Sequence, residues 1–303
     1  MNHNHAQPRV ALIGFGEAGG IIGHDLALLG VRVCAYDRLL DDATTAGPMT
    51  AKADASQVPL CASIAQAVAQ ADWIISAVTA GSALAVAQEA SASLKPGQLF
   101  IDINSVAPNT KRAAKALVGQ RGAHYVDAAV MAPVPPQRLR TPILLGGHQA
   151  ASVAEVLSGW GMNVRVVSPG IGVASAIKMC RSIMIKGLEA LTCECLSTAR
   201  QYGAEDEVLA SLHKSFPHMG WDADQPSYLI SRIAEHGRRR AEEMEEVART
   251  AADVGVRPNM SQATVQAQRG LVETLAEEGL SYADLVPFEW RAMVDRLYGE
   301  PKN

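Results

Sequence analysis

The sequence predicts an α/β domain built on a mostly parallel, doubly wound sheet, followed by an all-α C-terminal domain entered through one long helix. Three observations predict it. From Arg9 to about Ser168, short apolar runs alternate with alanine-rich helical stretches, and strands that are almost continuously apolar belong to parallel sheets covered on both faces. Beyond Ser168 the strand pattern stops. A length of 303 residues suits about two domains and buries a substantial core without disulfide or metal staples. The domains so implied are residues 1–168 and 169–303.

Arg9 to Ile13, Val31 to Tyr36, Trp73 to Val78, Leu99 to Ile103, Tyr125 to Val130, Ile143 to Leu145 and Val164 to Val167 read as strands, each a short apolar run bounded by Gly, Pro, Asp or Ser. Residues 17–29, 63–70, 82–93, 109–118 and 150–158 read as the helices between them. Ser168, Pro169 and Gly170 then open a helix over 172–202 that Gly203 closes, with Gly187 its one strong breaker. Further helices are predicted at about 205–214, 226–235, 238–253, 260–278 and 282–298. The block Arg238 to Arg249 sets Arg238 against Glu242, Arg239 against Glu243 and Glu245 against Arg249 at i,i+4 spacing, the pattern of a solvated helix face.

Composition narrows the function classes. With 48% hydrophobic, 19% charged and 5% aromatic residues, the chain is neither disordered, collagen-like nor a disulfide scaffold. A net charge of -4 favours neither nucleic acid nor an anionic membrane as a partner, so any bound anion must be held locally. Cys34, Cys61, Cys180, Cys193 and Cys195 form no C-x-x-C pair and are odd in number, which argues against a disulfide framework and a zinc site. Cys193 and Cys195, two apart in a helix, read as small structural hydrophobes. His124, His148, His213, His218 and His236 lack metal-ligand spacing, and no metal is expected. No G-x-S-x-G elbow or nucleophilic cysteine signature supports acyl transfer. Residues 1–8 read as a frayed tail rather than a secretory signal, no run approaches the roughly 18 apolar residues of a membrane span, and the expected location is the cytoplasm.

Gly14-Phe15-Gly16-Glu17-Ala18-Gly19 is a G-x-G-x-x-G between the first strand and the first helix, the context of a Rossmann dinucleotide turn. Gly14 permits the tight turn, Gly16 admits a pyrophosphate to the backbone, and Gly19 lets helix pack on strand. Asp37 ends the second strand 18 residues after Gly19, where a carboxylate accepts hydrogen bonds from an adenosine ribose and repels a 2'-phosphate. NAD is therefore the expected cofactor, with NADP kept open by the guanidinium of Arg38. Val78 and Thr79, at a strand end with Ala77, read as walls of the cofactor groove. Asn104 and Ser105, at the end of another strand, suit contact with the nicotinamide amide or a substrate, and Ser105 or Asn109 equally suits capping of the next helix. Lys178, among Val173, Ala174, Ile177, Met179 and Cys180, is a candidate acid/base whose apolar surroundings favour the neutral amine.

These features resemble the 3-hydroxyacid dehydrogenase superfamily related to 6-phosphogluconate dehydrogenase. Four motifs match in order: the Gly14–Gly19 turn, Asp102-Ile103-Asn104-Ser105, Asp127-Ala128-Ala129-Val130, and the helix start carrying Lys178. The resemblance implies a Rossmann domain joined to a helical one, with Lys178 as catalytic proton donor or acceptor. The sequence departs from that pattern where the family writes Ser-Gly-Gly to cradle a substrate carboxylate, because Met131-Ala132-Pro133 supplies no hydroxyl and Pro133 no N–H. Ala174 stands where the second glycine of G-x-G-x-x-x-K is usual, and Ser182 where an asparagine orients substrate. The helix at 238–247 resembles a subgroup with a distinct helical C-terminal domain.

The resemblance implies an NAD(P)-dependent oxidoreductase acting on a small hydroxy acid or oxo acid, with Lys178 as general acid/base and Asn104, Ser105, Met131, Ala132 and Ser182 around the substrate. Arg181, or Arg232 and His236 from the helical domain, are candidates for holding an acidic group. A homodimer formed through the helical half is expected. The rivals are an imine reductase, which usually lacks the lysine, and a dinucleotide-binding sensor without turnover.

Overall fold

The computed structural model describes residues 7–300. The predicted tail falls largely on residues 1–6 and so lies outside the described residues. Strands β1 (Val10–Ile13), β2 (Val33–Tyr36), β3 (Trp73–Ser76), β4 (Leu99–Asp102), β5 (His124–Val130), β6 (Ile143–Gly146) and β7 (Val164–Ser168) form one sheet in the order β2-β1-β3-β4-β5-β6-β7. Neighbours run parallel except β5 and β6, which pair antiparallel from Asp127 opposite Gly146 to Val130 opposite Ile143. All seven expected strands and the mostly parallel sheet are present.

The β1 side chains alternate between faces, as period-2 geometry requires. Val10 and Leu12 enter one core with Phe15, Leu26, Ile101, Leu145 and Leu157, while Ala11 and Ile13 enter the other with Ile74, Phe100 and Val118. Between the strands lie α1 (Glu17–Leu28), α2 (Ala43–Ala55), α3 (Ile64–Gln70), α4 (Ala83–Ser91), α5 (Pro108–Gly119), the short α6 (Val134–Gln137) and α7 (Ala150–Gly159). Helix α2 has no counterpart in the sequence reading. Gly47 and Pro48 mimic a loop there, yet the Asp42 side chain caps the helix by accepting from the Thr44 N–H at 2.8 Å.

Helix α8 (Val173–Gln201) runs through Gly187 without a break, and α9 (Glu205–Ser215), α10 (Gln225–Ala252), α11 (Asn259–Glu277) and α12 (Trp290–Tyr298) complete the chain. By compactness the first unit extends to Met179 and the second begins at Cys180. The second is all helical, with a core of Leu196, Ile230, Ile233, Leu271, Leu275, Trp290, Met293 and Val294. Among the described residues, no helix is long and apolar enough to cross a membrane.

Four expectations are corrected in this helical unit. Helices 226–235 and 238–253 are one helix, because Gly237 is a point of contact and not a stop: a Cβ there would lie 2.2 Å from the Gln268 carbonyl of α11. Helix 282–298 is broken at Pro287, leaving a 3-10 turn at Tyr282–Leu285 before α12. The charged block is not merely a solvated face: Arg240 pairs with Glu189, Glu243 with Lys186 at 2.5 Å, and Glu246 is buried. Cys195 is exposed, so only Cys193 of that pair packs inward, and burial pushes its thiol up to about 11.

Candidate functional site

The glycine-rich turn is built by sterics that each glycine answers separately. Gly14 has φ +94, and a Cβ there would sit 2.3 Å from the Ala77 carbonyl at the end of β3. A Cβ on Gly19 would meet the Gly14 carbonyl at 2.1 Å, so neither position tolerates a side chain. Gly16 differs. It is exposed, a Cβ on it meets nothing within 4 Å, and it starts α1 without any side-chain cap. Helix α1 thus begins at Glu17 directly after an exposed glycine, the kind of helix start that suits an anion.

Phe15 is buried, and its N–H donates to Asp37 Oδ2 at 2.7 Å, tying the turn to the end of β2. The other Asp37 oxygen accepts from the Leu39 N–H at 3.0 Å. Each oxygen keeps lone-pair capacity for a further donor. Two more carboxylates follow within the same short stretch: Asp41 accepts from the Tyr36 hydroxyl at 2.7 Å, and Asp42 caps α2. Arg38 is exposed beside them.

At the end of β4, Asn104 is buried and its side chain is engaged at both ends. Its Oδ1 accepts from the Val78 N–H at 2.6 Å and its Nδ2 donates to Ser76 Oγ at 2.9 Å, stitching β4 to the Val78–Thr79 segment after β3. Helix α5 starts with Ala107 as its cap residue and no side-chain cap, so neither Ser105 nor Asn109 caps it, and Asn109 accepts from Arg112 instead. Ser105 faces another partner: the Lys178 ammonium donates to its hydroxyl, joining the β4 end to the first turns of α8. Lys178 is half-buried; of the neighbours that the sequence places around it, Ala174 and Met179 are buried, but Val173, Ile177 and Cys180 are exposed.

Sequence reasoning missed the cluster beneath this pair. Asp102, Asp127 and Lys111 are almost completely buried, and the Lys111 ammonium lies 2.9 Å from Asp102 Oδ1 and 3.6 Å from Asp127 Oδ1. Asp102 also accepts from the Asn104 N–H at 2.9 Å and the Tyr125 hydroxyl at 2.6 Å. Burial first, then the two carboxylates, pushes the Tyr125 hydroxyl well above its usual 10, so it stays a neutral donor. Asp127 Oδ2 accepts from the N–H groups of Gly172 at 3.0 Å and Ser175 at 3.2 Å and from Ser175 Oγ at 3.2 Å, which caps α8 from a distant strand. One buried ammonium therefore braces both the segment bearing Ser105 and the helix bearing Lys178.

Met131 and Ala132 are half-buried at the end of β5, and Met131 packs in an apolar cluster with Ala129, Leu144 and Ala174. Two departures from the resembled pattern, Met131 and Ala174, thus fall in one cluster. Ser182 is buried one turn after Lys178, and Arg181 is exposed. In the helical unit Arg232 pairs with Glu235 at 3.0 Å, and burial with nearby Arg232 lowers His236 below its usual 6.5. Among the described residues no group of three or more His, Cys, Asp or Glu side chains could hold a metal.

Residues 9–168 match the model of the NAD binding domain of 6-phosphogluconate dehydrogenase, and residues 199–271 match a domain of unknown function, DUF1932. A conserved hypothetical protein of Sinorhizobium meliloti 1021 is 37% identical, with 97% of this chain and 98% of that one covered at a TM-score of 0.75. The conserved protein MTH1747, described as structurally similar to 3-hydroxyacid dehydrogenases, is 31% identical over 86% of this chain and 97% of that one, with a TM-score of 0.67. The 3-hydroxyisobutyrate dehydrogenase of Mycobacterium tuberculosis shares the fold at a TM-score of 0.71 over 96% of this chain and 99% of its own, with 18% identity. A dinucleotide turn with matching strand ends, matched over more than half of the chain, assigns this protein to the family of the 6-phosphogluconate dehydrogenase NAD-binding domain, with a DUF1932 C-terminal region.

Proposed function

We propose that the protein is an NAD-dependent dehydrogenase that acts on a CH–OH group of a small hydroxy acid or its oxo counterpart. The observation that carries this reading is the hydrogen bond from Lys178 to Ser105, which holds an amine at the carboxyl ends of the strands, where ligands of open α/β sheets bind. The open, uncapped turn at Gly16 fits a dinucleotide pyrophosphate, with Gly14, Phe15, Gly16, Glu17, Ala18 and Gly19 around it and Asp37 at the adenosine ribose. When bound, the nicotinamide supplies the hydride acceptor or donor. Asp37, Asp41 and Asp42 together outweigh the single exposed guanidinium of Arg38, so a 2'-phosphate is repelled and NAD is preferred to NADP.

Lys178 takes the hydroxyl proton as a neutral amine in oxidation and returns it as an ammonium in reduction. Ser105 orients that amine, and Asn104 acts one step back by fixing the Val78–Thr79 wall. Met131 with Ala132 forms an apolar boundary in place of a carboxylate cradle. The helical unit exposes Met184 and Leu191 on α8, which supports a homodimer formed through that unit; light scattering giving the mass of one chain at micromolar concentration contradicts it. The deciding experiment screens hydroxy and oxo acids by NADH absorbance. Lys178→Ala should then lower turnover by about 10²-fold or more with NADH affinity kept, and unchanged chemistry-limited turnover removes Lys178 from the mechanism.

A second reading, a dinucleotide-responsive binding protein, is favoured by the apolar cluster of Met131 and Ala174 where substrate contacts are usual. NADH binding with no turnover on any acid selects it.

A further inference from the structure

Lys52 belongs to none of the motifs above, yet it touches the dinucleotide turn. Placed in the last turn of α2, it donates to the Phe15 carbonyl at 2.8 Å and the Gly16 carbonyl at 2.7 Å, with its ammonium 5.6 Å from the centre of the Phe15 ring. Those carbonyls belong to the two peptide units whose N–H groups are those of Gly16 and Glu17, at the uncapped start of α1. In a trans peptide the C=O and N–H point in opposite directions, so a cation on the carbonyl side makes the N–H on the far side a stronger donor. Gly16 O also accepts from the Gly20 N–H at 3.0 Å, the ordinary helical bond, so the lysine adds a second donor to it.

Two independent observations point the same way. A Cβ on Gly20 would lie 2.8 Å from Lys52 Cε and 3.0 Å from its Nζ, so the fourth glycine of Gly14-x-Gly16-x-x-Gly19-Gly20 is the passage for the lysine stem. Among the described residues, no carboxylate forms an ion pair with half-buried Lys52. A bound diphosphate supplies an anionic partner.

The geometry points to Lys52 as a positioning residue for the dinucleotide phosphates: it polarises the Gly16 and Glu17 peptides and brings a positive charge to the turn. This rests on the dinucleotide reading above and names a residue of that site that no sequence motif carries. The ligand class is a nucleoside diphosphate, and adenosine, which lacks the phosphates, gains nothing from Lys52.

The test uses the full chain and three probes: NADH by fluorescence titration, and ADP and adenosine by calorimetry or competition. Lys52→Met should weaken NADH and ADP by about tenfold, the scale of one charge-assisted hydrogen bond, and leave adenosine unchanged. The salt dependence of ADP binding should become shallower in that variant. Should Lys52→Met fail to fold, Gly20→Ala displaces the stem while keeping the charge, and the same loss for ADP but not adenosine is expected. Equal weakening of ADP and adenosine assigns Lys52 to bracing the fold and overturns the proposal, as does unchanged ADP affinity. If wild type binds none of the three probes, the dinucleotide site itself fails, and this proposal with it.

Discussion

Replacing Lys111 with methionine keeps an apolar stem of similar length and deletes the ammonium that Asp102 and Asp127 share. That ammonium is fully buried, 2.9 Å from one carboxylate and 3.6 Å from the other, and it also donates to the Asp102 carbonyl at 2.7 Å. Tyr125, Asn104 and the start of α8 still donate to the carboxylates in the variant, but no cation remains. Removing one partner of a buried pair costs about 3–5 kcal/mol because the other charge is stranded away from water, and two carboxylates place Lys111→Met in the upper half of that range. For a unit of this size, about 2–4 °C of Tm per kcal/mol translates into a fall of about 8–20 °C. Calorimetry at pH 7.5 measures it, with Asp127→Asn and the double variant alongside. The double variant should recover at least half of the loss, since only one carboxylate is then unpaired. A Lys111→Met transition within about 2 °C of wild type would refute the reasoning.

Gly16→Val should abolish NADH binding with little change in Tm, because its side chain enters open space; Gly14→Ala should unfold the protein instead, because its Cβ strikes the Ala77 carbonyl. NADH titration beside a thermal melt separates the two. Asp37→Asn should raise NADP affinity relative to NAD by roughly tenfold, as loss of one repulsive charge near a phosphate implies, and a wild type that already prefers NADP reverses the assignment. His236 is held below its usual 6.5 first by burial and next by Arg232, so the unfolded chain takes up the proton at a higher pH than the folded one. Its contribution is thus intact above pH 6.5 and lost as pH falls through that value, and His236→Gln should reduce the stability difference between about pH 7.5 and 5.5 by under about 1 kcal/mol, partial exposure limiting the effect.

Most of the fold was legible because its pattern is local. Seven apolar runs gave seven strands, and the helices between them differ from expectation by a residue or two at their ends. Two of the differences from expectation fall where a helix breaker lies inside a helix. Gly237, between the two expected helices, packs against the α11 backbone within one continuous helix, and Gly47 with Pro48 lies inside α2, which Asp42 caps. Pro287 was the reverse case: it does break the chain, where apolar periodicity alone carried a helix through. The charged residues of α10 misled for a related reason, since i,i+4 spacing is equally compatible with partners on other helices, and Glu189 and Lys186 of α8 are such partners.

The site divides along the same line. The roles of Gly14 and Gly19 follow from clashes within the turn and its flanking strand end, so a motif suffices to find them. The remaining contacts join strand-end segments to helices from distant stretches of chain: Phe15 to Lys52 across 37 residues, Asp127 to Gly172 across 45, Ser105 to Lys178 across 73. A single sequence carries no pairing information at such separations, which is why Lys52 and Lys111 escaped notice, whereas Lys178 is a candidate from its local apolar neighbours and takes its expected catalytic role from the resemblance. The contacts also bear on the departure from the resembled pattern at Met131-Ala132-Pro133. Asp127, Lys111 and Asp102 brace the segment bearing Ser105 and the start of the helix bearing Lys178, while Met131 packs in one cluster with Ala174, one turn before Lys178 on that helix. The segment that departs from the resembled pattern is therefore packed against the helix that carries Lys178, so a substitution at Met131 reaches that helix through Ala174 rather than through a hydrogen bond.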